Sequence, residues 1–317
     1  MKEVDFMEQH VAPAYPLRAK VGKNRDVVNA PRRFAKCKVA EPIPCRTAPK
    51  WTQNTPMAID AKRRLAGVAL GKLPLGILPA DVLLPSDQYR QEVVRQLQAI
   101  STAKYDNTSN EQRVESWGKP FVDSATLDDH FQLEVNPTVA AISNPFVTRT
   151  HRFLESLGFQ VDYLTDPATS AKYHAGVLRK ISVSKTSSVL HVDDFIRDGL
   201  KKPDFRLPNV LEGERYFQLS FNLLLEDGGH QADPLYCYNK FYNPCDEKQC
   251  MDNGWQFPES LIAGCDYHKY QPKVGGAYVF STTAYHDIYG GSPLADRITW
   301  SVFAIYIPAK NLMLLYN

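Results

Sequence analysis

The tightest constraint in this chain is the pair His191 and Asp193 within Ser188-Ser-Val-Leu-His-Val-Asp-Asp194. Ser187 to Leu190 reads as the end of a strand. In an extended chain alternate residues share a face, so His191 and Asp193 point the same way and Val192 points back. An imidazole and a carboxylate on one face make two adjacent corners of a metal site. The third corner must come from a different strand.

A third ligand can be nominated. Gln271-Pro-Lys-Val-Gly-Gly-Ala-Tyr-Val-Phe280 is a Pro/Gly turn followed by a short apolar run, the pattern of a turn feeding a buried strand. His286 stands just beyond it, in Thr282-Thr-Ala-Tyr-His-Asp287. Eleven positions on, Arg297 opens Arg-Ile-Thr-Trp-Ser-Val-Phe-Ala-Ile-Tyr-Ile307, the longest β-like run in the chain. Arg297 and Thr299 share a face of that strand. A guanidinium beside a hydroxyl is suited to clamp a carboxylate through bidentate, charge-assisted hydrogen bonds. Two histidines and a carboxylate on one face of an octahedron leave three positions open, which suits ferrous iron that must also bind a co-substrate and oxygen.

The order His-x-Asp, glycine-led strand, His, Arg-x-Thr resembles the iron(II)/2-oxoglutarate-dependent dioxygenases, over roughly Tyr173 to Pro308. The Arg eleven places after the second His is more similar to the phytanoyl-CoA and taurine dioxygenase branches than to the prolyl hydroxylases, where a Lys usually stands. The amino-terminal half matches no branch. The resemblance implies a mostly β fold with flanking helices, built on a double-stranded β-helix (jelly-roll, cupin-like) with helices buttressing one sheet. It implies Fe(II) on His191, Asp193 and His286, and 2-oxoglutarate with its far carboxylate on Arg297 and Thr299. It also implies O2 as oxidant, with 2-oxoglutarate leaving as succinate and carbon dioxide. Iron halogenases of this family replace the carboxylate ligand by a small residue. Asp193 therefore points instead to hydroxylation, desaturation or ring formation.

Composition sets wider bounds. A chain of 317 residues forms one large domain or two small ones. The expected organisation is a Pro-rich basic arm over 1–80 that wraps the core. A single domain over 81–317 follows, with a helical part to 172 and the β core over 173–308. The net charge of +2 requires no acidic partner, although residues 1–80 hold 15 Lys/Arg against 6 Asp/Glu. No basic groove interleaved with aromatics marks a single-stranded nucleic acid site. No apolar run reaches the eighteen or so residues of a membrane span, and the first thirty residues lack a signal-peptide core. Six cysteines (37, 45, 237, 245, 250 and 265) show no Cys-x-x-Cys spacing, so free buried thiols in a reducing, cytoplasmic setting are expected.

Along the chain, a short helix is expected near Met57 to Ala66. Ser86 is the N-cap of an amphipathic helix from Asp87 to about Ala103, with Tyr89, Val93, Val94, Leu97 and Ile100 on one side. Asn107 to Asp129 reads as loop. Asp128, Asp129 and His130 read as surface rather than as a second metal site. Pro137 to Leu157 reads as helix, interrupted at Pro145 and stopped by Gly158. His151 on it reads as structural, and Phe159 to Leu164 as strand or connection.

Arg215 to Leu225 alternates cleanly, with Phe217, Leu219, Phe221 and Leu223 opposite Tyr216, Gln218, Ser220 and Asn222. The polar row is either a wet outer face or the lining of a reaction cavity. On the second reading Gln218, Ser220 and above all Asn222 contact substrate. Phe195 to Gly213 is a candidate lid, and Asp227 to Lys269, rich in Tyr, Trp and Phe, a cover over the site. The Cys and His residues of the second connection do not form the close pairs of a structural zinc site. These features fit a small polar metabolite, such as an amino acid or natural-product intermediate. A peptide in an open groove and a silent binding module are the competing readings.

Overall fold

The computed structural model describes residues 61–317 apart from 101–102, 105–111, 118–119, 122–123, 132–135, 184–189, 228–233, 253 and 289–296. The expectations for residues 1–60, including the start of the first helix, lie outside the described residues.

Among the described residues six α-helices precede or interrupt twelve strands. The helices are α1 (Ala61–Ala69), α2 (Ala80–Leu83), α3 (Asp87–Gln98), α4 (Leu127–Phe131), α5 (Pro137–Ser156) and α6 (Phe195–Gly199). The first six strands are β1 (Leu75–Leu78), β2 (Ala103–Lys104), β3 (Gln112–Trp117), β4 (Gln160–Tyr163), β5 (Val177–Val183) and β6 (Phe217–Glu226). The last six are β7 (Leu235–Phe241), β8 (Tyr267–Tyr270), β9 (Ala277–Ser281), β10 (Ala284–Ile288), β11 (Arg297–Ile307) and β12 (Leu312–Tyr316).

The major sheet runs β1-β9-β6-β11-β5-β3-β2, with β12 on β11 and β4 parallel to β12. The minor sheet is β10-β7-β8. All pairings except β4–β12 are antiparallel. The sheets face one another in the jelly-roll manner expected and do not close into a barrel. β11 is buried along its whole length and organises the molecule: β6 lies along one side, β5 beside its first half and β12 beside its second.

Alternation decides which face each row takes. Phe217, Leu219, Phe221 and Leu223 of β6 and Trp300, Val302 and Ala304 of β11 face outward. Leu65 and Val68 of α1, Val93 and Leu97 of α3, and Ile142, Phe146 and Leu154 of α5 cover them. Each such side chain contributes roughly 1.5–3 kcal/mol on burial, so the helices are fastened to this one sheet. The other face of the major sheet looks at the minor sheet, and the site lies between the two.

Local details depart from the expectations. Ser86 caps α3, its Oγ accepting from the Tyr89 amide at 3.1 Å, but the helix stops at Gln98 because the Ala99 amide turns back onto the Gln96 carbonyl. α5 continues through Pro145 instead of breaking there; burial of residues on both sides of the proline, Ile142 and Phe146 among them, offsets its lost hydrogen bond. Gly158 ends α5 in the left-handed region, at φ 79. Within the stretch expected to be loop, Gln112–Trp117 is a strand because β5 offers it a paired edge. α1 and β1 are built into the major sheet and its helical cover, so residues 61–78 belong to the core rather than to a wrapping arm.

Asp128 and Asp129 are exposed, as expected, whereas His130 is fully buried against Phe121 and Tyr173. His151 stacks on Tyr163 and approaches Glu155. Cys237 and Cys250 are free, but Cys245 and Cys265 are disulfide-bonded, which corrects the expectation of free thiols throughout. Sequence spacing does not report which sulfurs meet in space. Among the described residues no helix is long and apolar enough to cross a membrane.

Gly176 leads into β5 with φ 83. A Cβ there would lie 2.7 Å from the Ser143 hydroxyl, 2.8 Å from Trp300 Nε1 and 2.9 Å from Val147. Those contacts would wedge apart the 3.0 Å bond from the Trp300 indole to Ser143 that ties β11 to α5. Gly176→Ala is expected to cost about 2–5 kcal/mol through backbone strain and overpacking together, read as a lower denaturant midpoint.

Candidate functional site

Three distant segments meet between the sheets. His191 follows the segment 184–189, and its backbone pairs with β10: the His191 amide donates to the His286 carbonyl and the His286 amide to the His191 carbonyl, both at 3.0 Å. The two rings are 4.2 Å apart between centroids. Asp193, one alternation further, donates its amide to the Thr282 carbonyl at 3.0 Å, and its carboxylate lies 3.6 Å from His286 Nε2. One ligand atom from each of His191, Asp193 and His286 falls within 4.8 Å of the others, the one such cluster among the described residues. No zinc-like group forms from the Cys and His residues of 227–269 among the described residues.

Outer contacts fix these groups. His286 is buried, and its Nδ1 donates to the Ala284 carbonyl at 2.9 Å, which orients the ring with Nε2 toward Asp193. Gln218 Nε2 donates to the Asp193 carbonyl at 3.1 Å, and Gln218 Oε1 accepts from the Phe195 amide at 2.8 Å. Burial pushes the Asp193 carboxyl up. The hydrogen bond from His286 and the nearby charges of His191, His286 and Arg179 outweigh it and hold the group well below the carboxylate range.

Arg297 sits on the inward row of β11 and is buried at 5% exposure. Its Nη2 donates to the Tyr278 hydroxyl at 3.2 Å, while Nε and Nη1 are buried with no hydrogen-bond partner. Burial pushes the Tyr278 hydroxyl up, so it stays protonated and retains a proton to donate. Thr299 occupies the next inward position and is also buried. A buried guanidinium with unsatisfied donors is costly unless an anion completes it. A carboxylate is the group its planar fork fits.

The polar row of β6 divides. Both amide atoms of the buried Gln218 hold the Asp193 segment, so it fixes Asp193 rather than lining a cavity, a correction that the sequence could not anticipate. Ser220 is buried, and its hydroxyl accepts from Asn222 at 3.0 Å. Asn222 is half-buried, opposite Ser301 on β11 and Tyr278 on β9. Sequence reasoning passed over Tyr278, although it sits on the glycine-led strand and alternation would have placed it. It also missed the Ala284 carbonyl, which carries no motif.

The two long connections flank the cluster differently. Trp255 packs edge-on to His191 at 5.8 Å, Gln256 bridges to His191, and the Phe257 amide donates to the Leu190 carbonyl at 2.9 Å. The segment around Trp255 therefore runs along the cluster, as a cover should. The 195–213 connection instead fills the opposite end: Phe195, Ile196 and Leu211 pack on Phe303, Ile305 and Tyr316. It is a floor rather than a lid, because its apolar side chains complete the interior where β11 turns from polar to apolar.

Arg197 ties floor to cover. It pairs with Glu247 at 2.8 Å, donates to the Gly254 carbonyl at 3.1 Å and lies over Phe257. Its side chain is 3% exposed, so truncation removes a buried cation from beside Glu247 and Asp198 and leaves Glu247 with Tyr242 and Lys201. Arg197→Ala is expected to cost about 3–5 kcal/mol and to speed hydrogen exchange across 243–257 ahead of the β6–β11 pairing.

No family model matches the chain. An N-substituted L-amino acid dioxygenase from Burkholderia ambifaria superposes with TM-score 0.51 at 13% identity, over 80% of this chain and 91% of that one. The chain has that dioxygenase's fold. The jelly-roll architecture implied by the His-x-Asp, His and Arg-x-Thr pattern is thereby borne out. A "Leucinostatins biosynthesis cluster protein S" from Purpureocillium lilacinum is 23% identical over 244 residues, which span 72% of this chain and 86% of that protein.

Proposed function

We propose that this chain is an iron(II)/2-oxoglutarate-dependent oxygenase that hydroxylates, desaturates or cyclises a small polar metabolite, such as an amino acid or natural-product intermediate. The observation that carries the reading is the His191, Asp193 and His286 cluster, facing the same interior as a buried Arg297 whose Nε and Nη1 have no partner. The donor set fits ferrous iron, since two imidazoles and a carboxylate leave room for a chelating co-substrate and oxygen. With both bound, the metal and 2-oxoglutarate supply the oxidising power by reductive activation of oxygen, releasing succinate and carbon dioxide.

The protein's own part is ligation, orientation and exclusion of water. His286 presents Nε2 because Ala284 holds Nδ1. Asp193 is kept ionised and aimed by Gln218. Arg297, with Tyr278 and Thr299, would hold the far carboxylate of 2-oxoglutarate and so orient its keto acid end toward the cluster. Trp255 and its neighbours shield His191 from the side of the long connection.

The metabolite reading is supported by this cover and by the likeness to an N-substituted L-amino acid dioxygenase and to a leucinostatins biosynthesis cluster protein. The cover also weighs against a peptide in an open groove. The test is anaerobic reconstitution with Fe(II) and 2-oxoglutarate, then admission of oxygen with amino acids and their N-substituted derivatives as probes. Succinate release that depends on iron and rises with a probe is expected. A protein that neither retains iron nor forms succinate would overturn the reading.

A further inference from the structure

The inward face of the major sheet carries a second polar pair. Asn222 of β6 stands directly opposite Ser301 of β11, and both follow the inward period of their strands. Asn222 is half-buried and Ser301 is buried. The Asn222 amide has a fixed orientation: Nδ2 donates to the Ser220 carbonyl at 3.1 Å and to the Ser220 hydroxyl at 3.0 Å. Those two bonds use both of its hydrogens. Oδ1 is left as an acceptor that no described residue serves.

Ser301 is its complement. Ser301 Oγ accepts from Arg179 Nη1 at 2.9 Å, so its own hydrogen turns elsewhere, and no described residue accepts it. A hydroxyl that accepts from a guanidinium is polarised into a stronger donor. One acceptor and one donor therefore stand side by side. Side chains directly opposed across an antiparallel pair are roughly 4.5–5.5 Å apart at Cβ. One small planar group with two hydrogen bonds of about 2.9 Å spans that gap.

The chemistry of that group follows from the pair. 2-Oxoglutarate at neutral pH offers acceptors alone, and any carboxylate would set an oxygen against Asn222 Oδ1. The trans amide of a linear peptide points its N–H and C=O to opposite sides and meets one partner at a time. A primary carboxamide or a lactam presents both on one edge.

We propose that Asn222 and Ser301 read such an edge, Asn222 Oδ1 accepting from the substrate N–H and Ser301 Oγ donating to its C=O. The substrate class is then a metabolite with a primary carboxamide or a lactam. The inference rests on the oxygenase reading and adds this class to it.

The test uses the full chain with Fe(II) and saturating 2-oxoglutarate. The probes are matched pairs: amino acid carboxamides against their methyl esters, and cyclic dipeptides against the cyclodepsipeptides in which O replaces one N–H. The second kind of pair removes the donor without adding bulk. Binding is followed anaerobically by calorimetry, and succinate formation is followed after oxygen is admitted. Wild type is expected to bind the N–H member of at least one pair about tenfold or more tightly, and only that member should raise succinate formation. Asn222→Leu should cut the preference to about twofold or less while 2-oxoglutarate affinity stays near that of wild type. Asn222→Ala takes its place if a denaturant midpoint shows the leucine variant unfolded. Ser301→Ala should weaken the N–H member about fivefold or more, and Ser301→Thr, which keeps the hydroxyl, should regain most of it.

Equal binding of both members of every pair by wild type would overturn the assignment, as would a preference that survives in the Asn222 variant. So would a wild type that binds iron and 2-oxoglutarate but none of the amides. An Asn222 variant that loses 2-oxoglutarate affinity would move Asn222 to the co-substrate and overturn its substrate role. A wild type that binds neither iron nor 2-oxoglutarate is a different result: it overturns the proposed function, and the inference with it.

Discussion

His286→Gln is expected to lose iron-dependent succinate formation and at least about 100-fold in iron affinity, while the protein stays folded. Replacing a partner one shell out from a metal typically costs 10–100-fold, so removing a ligand sets that range as a floor. Gln keeps most of the volume of a side chain that is 2% exposed and packed 4.9 Å from Phe280, which limits the cavity cost. Asp193→Ala and His191→Ala should behave alike, because each removes one of three ligands that lie within 4.8 Å of one another. Iron content by mass spectrometry and a denaturant midpoint, measured on the same preparation, separate loss of metal from loss of fold. A His286→Gln protein with wild-type iron content and turnover would refute the third ligand. His174 and His268 would then be the next to test, though His174 is engaged with His130 on the far side of the 195–213 floor.

Arg297→Ala is expected to raise the 2-oxoglutarate requirement on the order of 30-fold to 5,000-fold while iron is retained. The figure follows from the roughly 2–5 kcal/mol lost when one partner of a desolvated, hydrogen-bonded charge pair is truncated. Arg297→Lys should recover only part, since a single ammonium replaces a planar fork that also donates to Tyr278 at 3.2 Å. Tyr278→Phe is a milder companion, expected to cost about tenfold through one lost hydrogen bond to a charged group. Anaerobic titration of the iron-loaded protein with 2-oxoglutarate measures all three. An unchanged affinity in Arg297→Ala would move the clamp elsewhere, with Arg179 the nearest inward cation.

The alternating pattern was enough to determine the faces of β6 and β11. Phe217, Leu219, Phe221 and Leu223 had to turn toward the helices because a period of two leaves no other way to bury them together. His191 and Asp193 on one side of an extended segment, and Arg297 and Thr299 on one side of β11, followed from the same period. The cap at Ser86 and the stop at Gly158 were equally local, each fixed by the residue's own side chain or its tolerance of positive φ.

What the tertiary structure decided was every relation between distant segments. Gln218 looked like cavity lining until its amide was found on both the Asp193 carbonyl and the Phe195 amide. The 195–213 connection looked like a lid, but its apolar side chains met Phe303 and Tyr316 and became a floor. Pro145 would break an isolated helix, yet burial against the major sheet carries α5 through it. Cys245 and Cys265 gave no sign of bonding in their spacing. The orphaned donors of Arg297 and the inward placement of Arg179 beside Ser301 appear only when strand register is known. Sequence period fixes which face a side chain takes; only register and packing fix what that face meets.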